Sequence, residues 1–153
     1  MKAFISYSLT EQEQYIATLL SYRLREQGFT LILSNNSEVF DETTKYQIFL
    51  SQLFVGVVTI NGHQWQRVLG EYDLAMQNST PAILLIEEGV PIHPSFSGNY
   101  VLFNRTNTHD AIEEIKRRMI QRNTKPNNEA LGWILGGAAV LGIIALLSNN
   151  SKK

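Results

Sequence analysis

The run FVGVVTI, Phe54 to Ile60, decides the fold. It is rich in Val, and its apolar residues follow one another without polar alternation. A strand with one wet face alternates apolar and polar side chains. A strand covered on both faces does not, and crossover helices give parallel sheets that double cover. Similar runs flank it: Phe4 to Tyr7, Phe29 to Leu33, Pro81 to Glu87 and Tyr100 to Phe103.

Helical periods separate these runs. Thr10 and Glu13 form an S/T-x-x-E capping box ahead of Ile16, Leu19, Leu20 and Leu24. Gly28 stops that helix. Asp41 can cap a helix whose apolar positions include Ile48, Phe49 and Leu53. Trp65, Val68, Leu69, Tyr72, Ala75 and Met76 share one face of the next, and Ile112, Ile115 and Met119 mark another. Strands alternating with helices predict βαβ units. Over residues 1–122 the expectation is an α/β, flavodoxin-like sheet of five parallel strands in the order 2-1-3-4-5, with helices on both faces.

In such a sheet, ligands bind outside the carboxyl ends of the strands, where the order reverses between strands 1 and 3. Ser6, Tyr7 and Ser8 end strand 1, Asn35 follows strand 2, and Asn61 and Trp65 follow strand 3. These are the candidate binding residues. Trp65 also fits a core position. His63 and Arg67 read as solvated, with a phosphate contact as the alternative for Arg67. Glu87 and Glu88 read as a strand end in solvent.

The 153 residues carry a formal net charge of −1, which leaves no basic footprint for nucleic acid. The absence of Cys excludes disulfides, thiolate catalysis and Cys-based zinc sites. His63, His93 and His109 are scattered, so neither a metal nor another resident cofactor is expected. MKAFISYS reads as a strand, not as a signal peptide. Two uses of the fold fail on residue type. A phosphoacceptor domain needs an acidic pair after strand 1 and an Asp ending strand 3, where this chain has Ser-Tyr-Ser and Asn61. A flavin-phosphate loop needs Gly, which SYSLTEQ lacks.

The opening KAFISYSLTEQEQYIATLLSYRLREQGFTLIL resembles the start of a Toll/interleukin-1 receptor (TIR) domain. Phe4-Ile5-Ser6-Tyr7-Ser8 stands at the family's first strand and Glu11 at its acid. FLSQLFVGVVTIN resembles its third strand, and GEYDLAMQNSTPAILLI its Glu-x-x-x-Ala helix and fourth strand. The resemblance covers roughly residues 2 to 120. It implies cleavage of NAD⁺ at the nicotinamide–ribose bond, with NAD⁺ as substrate and ADP-ribose either released, as by a nucleosidase, or cyclised, in a bacterial defence or signalling setting. It also implies that Glu71 is the catalytic carboxylate and that copies of the chain assemble. A carboxylate there would stabilise oxocarbenium character at the ribose and orient its hydroxyls.

This chain departs from the pattern in two places. The family's Trp stands about four positions before its Glu, whereas Trp65 and Glu71 are six apart. The loop SNNSEVFDETTKY lacks the family's Pro-Gly. A helix rises about 1.5 Å per residue, so one starting at Trp65 would put Glu71 about 9 Å below its N-terminus, away from the crevice. A start near Leu69-Gly70 would keep Glu71 in the first turn. Glu71 and Asp73 then lie on opposite flanks of the apolar face, which also fits a boundary acid.

After a linker at residues 123–129, the chain from Ala130 to Ser148 carries no charge, and a polar tail spans residues 149–153. About 20 apolar residues span a bilayer, so residues 130–148 read as a single-pass membrane helix, with a buried core helix or an assembly helix as the alternative. Arg117, Arg118, Arg122 and Lys125 precede it and only Lys152 and Lys153 follow, which favours a cytoplasmic N-terminal domain. Gly132 and Gly136 form a G-x-x-x-G pair suited to self-association. Three readings follow: a membrane-anchored NAD⁺-cleaving enzyme, a non-catalytic interaction module, and a sensor coupled to a membrane-disrupting helix.

Overall fold

A computed structural model describes residues 1–34, 42–123 and 128–151. Five strands, β1 (Lys2–Ser8), β2 (Thr30–Leu33), β3 (Leu53–Val58), β4 (Ala82–Glu87) and β5 (Val101–Phe103), form one parallel sheet in the order β2-β1-β3-β4-β5. The helices are α1 (Gln14–Glu26), α2 (Glu42–Phe49), α3 (Trp65–Gln77), α4 (His109–Asn123) and α5 (Asn128–Ser151). Every residue of β3 is buried, as its unbroken apolar run requires. The strand begins one residue earlier than expected, so Leu53 belongs to β3 and not to the preceding helix. The Thr10–Glu13 box forms, with the Thr10 amide donating to the Glu13 carboxylate at 3.0 Å, but it caps a short 3₁₀ turn that leads into α1.

The sheet separates two cores. Phe4, Phe54, Val58, Leu84 and Ile86 face α2 and α3, joined by Val68, Leu69, Tyr72 and Ala75. Ala3, Ile5, Val55, Val57, Ile83 and Leu85 face the other way, toward α1, α4 and α5. Alternation along β1 therefore sends Ser6 and Ser8 toward the α3 side and Tyr7 toward the α1 side.

The C-terminal helix corrects the expectation of a separate membrane span. It packs on α1, α4, β3 and β4, and Trp133, Ala139, Val140, Ile143 and Ile144 are buried in the second core. The Trp133 indole N–H donates to the Ala82 carbonyl at 3.0 Å. The glycine pair has a local use here. A Cβ on Gly136 would lie 2.4 Å from Leu53 Cδ2, and one on Gly132 would lie 3.0 Å from the Gln52 carbonyl oxygen. The small-xxx-small face thus lets α5 lie close against the sheet at the start of β3. A helix that is apolar all round suits a buried core layer as well as a bilayer. Among the described residues, no helix is long and apolar enough to cross a membrane.

Candidate active site

Helix α3 begins at Trp65, after Gln64 in a left-handed conformation (φ 62, ψ 40). On the length argument this start would remove Glu71 from the strand ends. It does not. Val68, Glu71, Tyr72 and Ala75 stand at i, i+3, i+4 and i+7, and all are buried against the sheet. Helical side chains lean toward the N-terminus, which brings the Glu71 carboxylate back up toward the ends of β1 and β2. Glu71 is 1% exposed and is not a flank acid; Asp73 is the exposed one, and burial of its surroundings raises its carboxyl above the ordinary value.

Three side chains converge on Glu71. Ser6 Oγ donates to Oε1 at 2.6 Å. Arg67 Nη1 donates to Oε1 at 2.8 Å, one helical turn away. Ser34, just past β2, lies 3.1 Å from Oε1 and 3.2 Å from Oε2. Arg67 also donates to the Ser34 hydroxyl, to the Tyr7 carbonyl at 2.8 Å and to the Gln64 side-chain oxygen at 3.3 Å. A cation, an anion and two hydroxyls are thus gathered between α3 and the carboxyl ends of β1 and β2. Arg67, expected in solvent, is 8% exposed. The charge is buried because the carboxylate, the hydroxyl and the carbonyl together replace its hydration.

The other candidates are distributed unevenly. Ser6 is on the carboxylate. Tyr7 contributes its carbonyl through Arg67, while its ring packs on the opposite face. Ser8 is 1% exposed, its carbonyl accepts from the Thr59 amide and hydroxyl at 3.1 Å each, and its own hydroxyl has no partner among the described residues. A Cβ on Gly62 would lie 2.1 Å from the Ser8 carbonyl oxygen, so the β3–α3 connection presses onto the end of β1. Asn61 is exposed in that connection, and Trp65 is half-buried against the α2–α3 core. Asn35 lies outside the described residues. Ser34 and Arg67 are the additions. Arg67 could have been found from its i,i+4 spacing to Glu71; Ser34 had no local signal.

A second charged cluster knits the remaining strand ends. Arg105, after β5, pairs with Glu87 at 2.7 Å and with Glu13. Glu13 also accepts from the Thr59 hydroxyl at 2.7 Å, and Glu87 accepts from the Ile60 amide at 2.8 Å. Glu87 is therefore buried rather than solvated. Burial pushes the Glu13 carboxyl up, but the Thr10 amide, Arg105 and Thr59 outweigh it and hold the group below its ordinary value of 4.5. An acid depressed in the folded state adds stability above its unfolded value and loses it on protonation. We expect the urea midpoint to fall as pH drops below 4.5, and to fall less in Glu13→Gln. Equal pH dependence in the two proteins would remove Glu13 from this account.

No family model matches this chain, and no curated protein matches its sequence. Among solved structures, BcmB, a CMP N-glycosidase of Clostridium botulinum, has a TM-score of 0.52 and 16% identity over 76% of this chain and 98% of that one. At this identity the likeness shows a shared fold: the parallel α/β architecture of this chain is one that also occurs in a nucleotide N-glycosidase.

Proposed function

We propose that this protein is a nucleotide glycosidase that breaks the bond between ribose C1′ and a base nitrogen, with Glu71 as the catalytic carboxylate. The observation that carries this reading is a carboxylate fixed at the strand ends and already holding two hydroxyls, from Ser6 and Ser34. A ribose presents hydroxyls of the same kind. As the C1′–N bond breaks, its electrons leave with the base and positive charge grows at C1′, where a fixed carboxylate is most useful. A water then adds to C1′ and gives up its proton. From NAD⁺ the products are nicotinamide, ADP-ribose and a proton released to solvent; from a nucleoside monophosphate the departing base takes up the proton, and the products are the free base and ribose 5-phosphate.

Two independent likenesses support this bond type. The TIR resemblance points to nicotinamide–ribose cleavage in NAD⁺, and the shared fold occurs in an enzyme named for cleaving CMP. NAD⁺ is our first choice of substrate. The direct test incubates the full chain separately with NAD⁺ and with nucleoside monophosphates, and measures released base by chromatography. We expect release from at least one of them, NAD⁺ first. No release from any would count against the proposal.

The burial of the Arg67–Glu71 pair, with side chains 6% and 2% exposed, favours a second reading, in which the pair only braces α3 against β1 and β2. In that case the chain is a binding module. Base release separates the two.

A further inference from the structure

Glu71 is 1% exposed, with Ser6, Ser34 and Arg67 all on its carboxylate, so it cannot meet a substrate without a change, and Arg67 is the one partner that also neutralises its charge. The guanidinium supplies, 2.8 Å from Oε1, the positive charge that a developing sugar cation would otherwise bring to the carboxylate. The pair is a closed arrangement, and something must draw Arg67 away. Removing one member of a buried ion pair is costly unless another charge replaces it. The sugar cation can replace Arg67 at Glu71. Arg67 in turn needs an anion, and a phosphate matches the guanidinium fork better than any neutral group.

The segment carrying Arg67 bears two marks of a second position. Gln64, the residue before α3, holds a left-handed conformation that a side chain with Cβ rarely adopts. The Ser8 hydroxyl is buried without a partner among the described residues, 2.6 Å from where a Cβ on Gly62 would lie. Arg67 is tied to this segment through both the backbone and the side chain of Gln64. Movement of Gly62–Gln64 would relieve the strain, open space at Ser8 and carry Arg67 with it.

We infer that Arg67 is a phosphate-operated latch: the phosphate of a nucleotide draws its guanidinium off Glu71 and so uncovers the carboxylate for the ribose. The inference rests on the glycosidase reading and deepens it, since it makes the phosphate a condition for cleavage. Binding energy from the non-reacting phosphate is spent on opening the site. Nucleosides with the same base and sugar lack that handle and meet the closed pair.

The test compares matched substrates, nicotinamide mononucleotide against nicotinamide riboside and CMP against cytidine, on the full chain and on Arg67→Gln. For the wild type, we expect kcat/KM to favour the phosphorylated partner by at least about tenfold. In folded Arg67→Gln, that preference should collapse toward unity. A wild-type ratio near one, or a preference that survives in the folded variant, overturns the latch. Should Arg67→Gln not fold, inorganic phosphate added to the wild type with a nucleoside decides. Faster base release supports the latch, and an unchanged rate overturns it. A wild type that cleaves neither member of either pair overturns the glycosidase reading, and the latch falls with it. Cleavage without phosphate preference overturns the latch alone.

Discussion

Trp133→Ala is expected to lower the unfolding free energy by about 4 kcal/mol, read as a shift in the urea midpoint. Truncating a fully buried Trp costs about 3–5 kcal/mol through lost transfer energy and the cavity left behind. The Ala82 carbonyl also loses its indole donor, which adds to the cost because that acceptor lies at the start of a buried strand. Native domains hold only about 5–15 kcal/mol in total, so one substitution would consume a large share. The effect depends on α5 being a layer of this domain. If the helix were a detached element, Trp133 would touch nothing in the sheet, and the midpoint would hardly move. A loss under about 1 kcal/mol, the size of an ordinary surface substitution, would therefore contradict the docking of α5.

The same helix shows where the sequence is ambiguous. An uncharged run from Ala130 to Ser148 satisfies a bilayer and a double-covered core equally, because both exclude water from the whole helix circumference. Gly132 and Gly136 have the same ambiguity. Small residues permit close approach to any partner, and here the partner is the sheet at the start of β3. Only the tertiary arrangement decides between them. The five strands were far easier to read. FVGVVTI and the runs of β1 and β4 carry their burial in consecutive residues, whereas β2, at the sheet edge, is apolar in sequence but only half-buried at Leu31 and Ile32 and exposed at Thr30 and Leu33; the sheet order agrees with right-handed crossovers.

The site lay between these extremes. Glu71 stood out through its Glu-x-x-x-Ala motif, yet its surroundings come from afar: Ser6 and Ser34 are 65 and 37 residues away in sequence. No local pattern announces such pairs. Arg67 was local and still misread, since an Arg in an otherwise amphipathic helix defaults to solvent. Its position four before Glu71 was the available clue. The length argument about the start of α3 failed because it followed the helix axis and ignored the lean of the side chain. Glu87 was misplaced for another reason. Arg105 reaches it from beyond β5, a long-range contact that turns a strand-end acid into a buried one.

Glu71→Gln carries the second large effect. The amide preserves size and can still accept from Ser6, but it removes the negative charge that a developing sugar cation requires. Loss of a catalytic electrostatic partner lowers turnover by about 10²–10³ or more. It also leaves Arg67 without its counter-charge, so the variant will be less stable than the wild type. Activity must therefore be compared at a temperature where near-ultraviolet circular dichroism shows both proteins folded. The decisive measurement is the rate of free-base release from the best nucleotide substrate by wild type and folded Glu71→Gln under those conditions. The glycosidase account predicts a fall of roughly a thousandfold. A folded Glu71→Gln that releases base at the wild-type rate would contradict it.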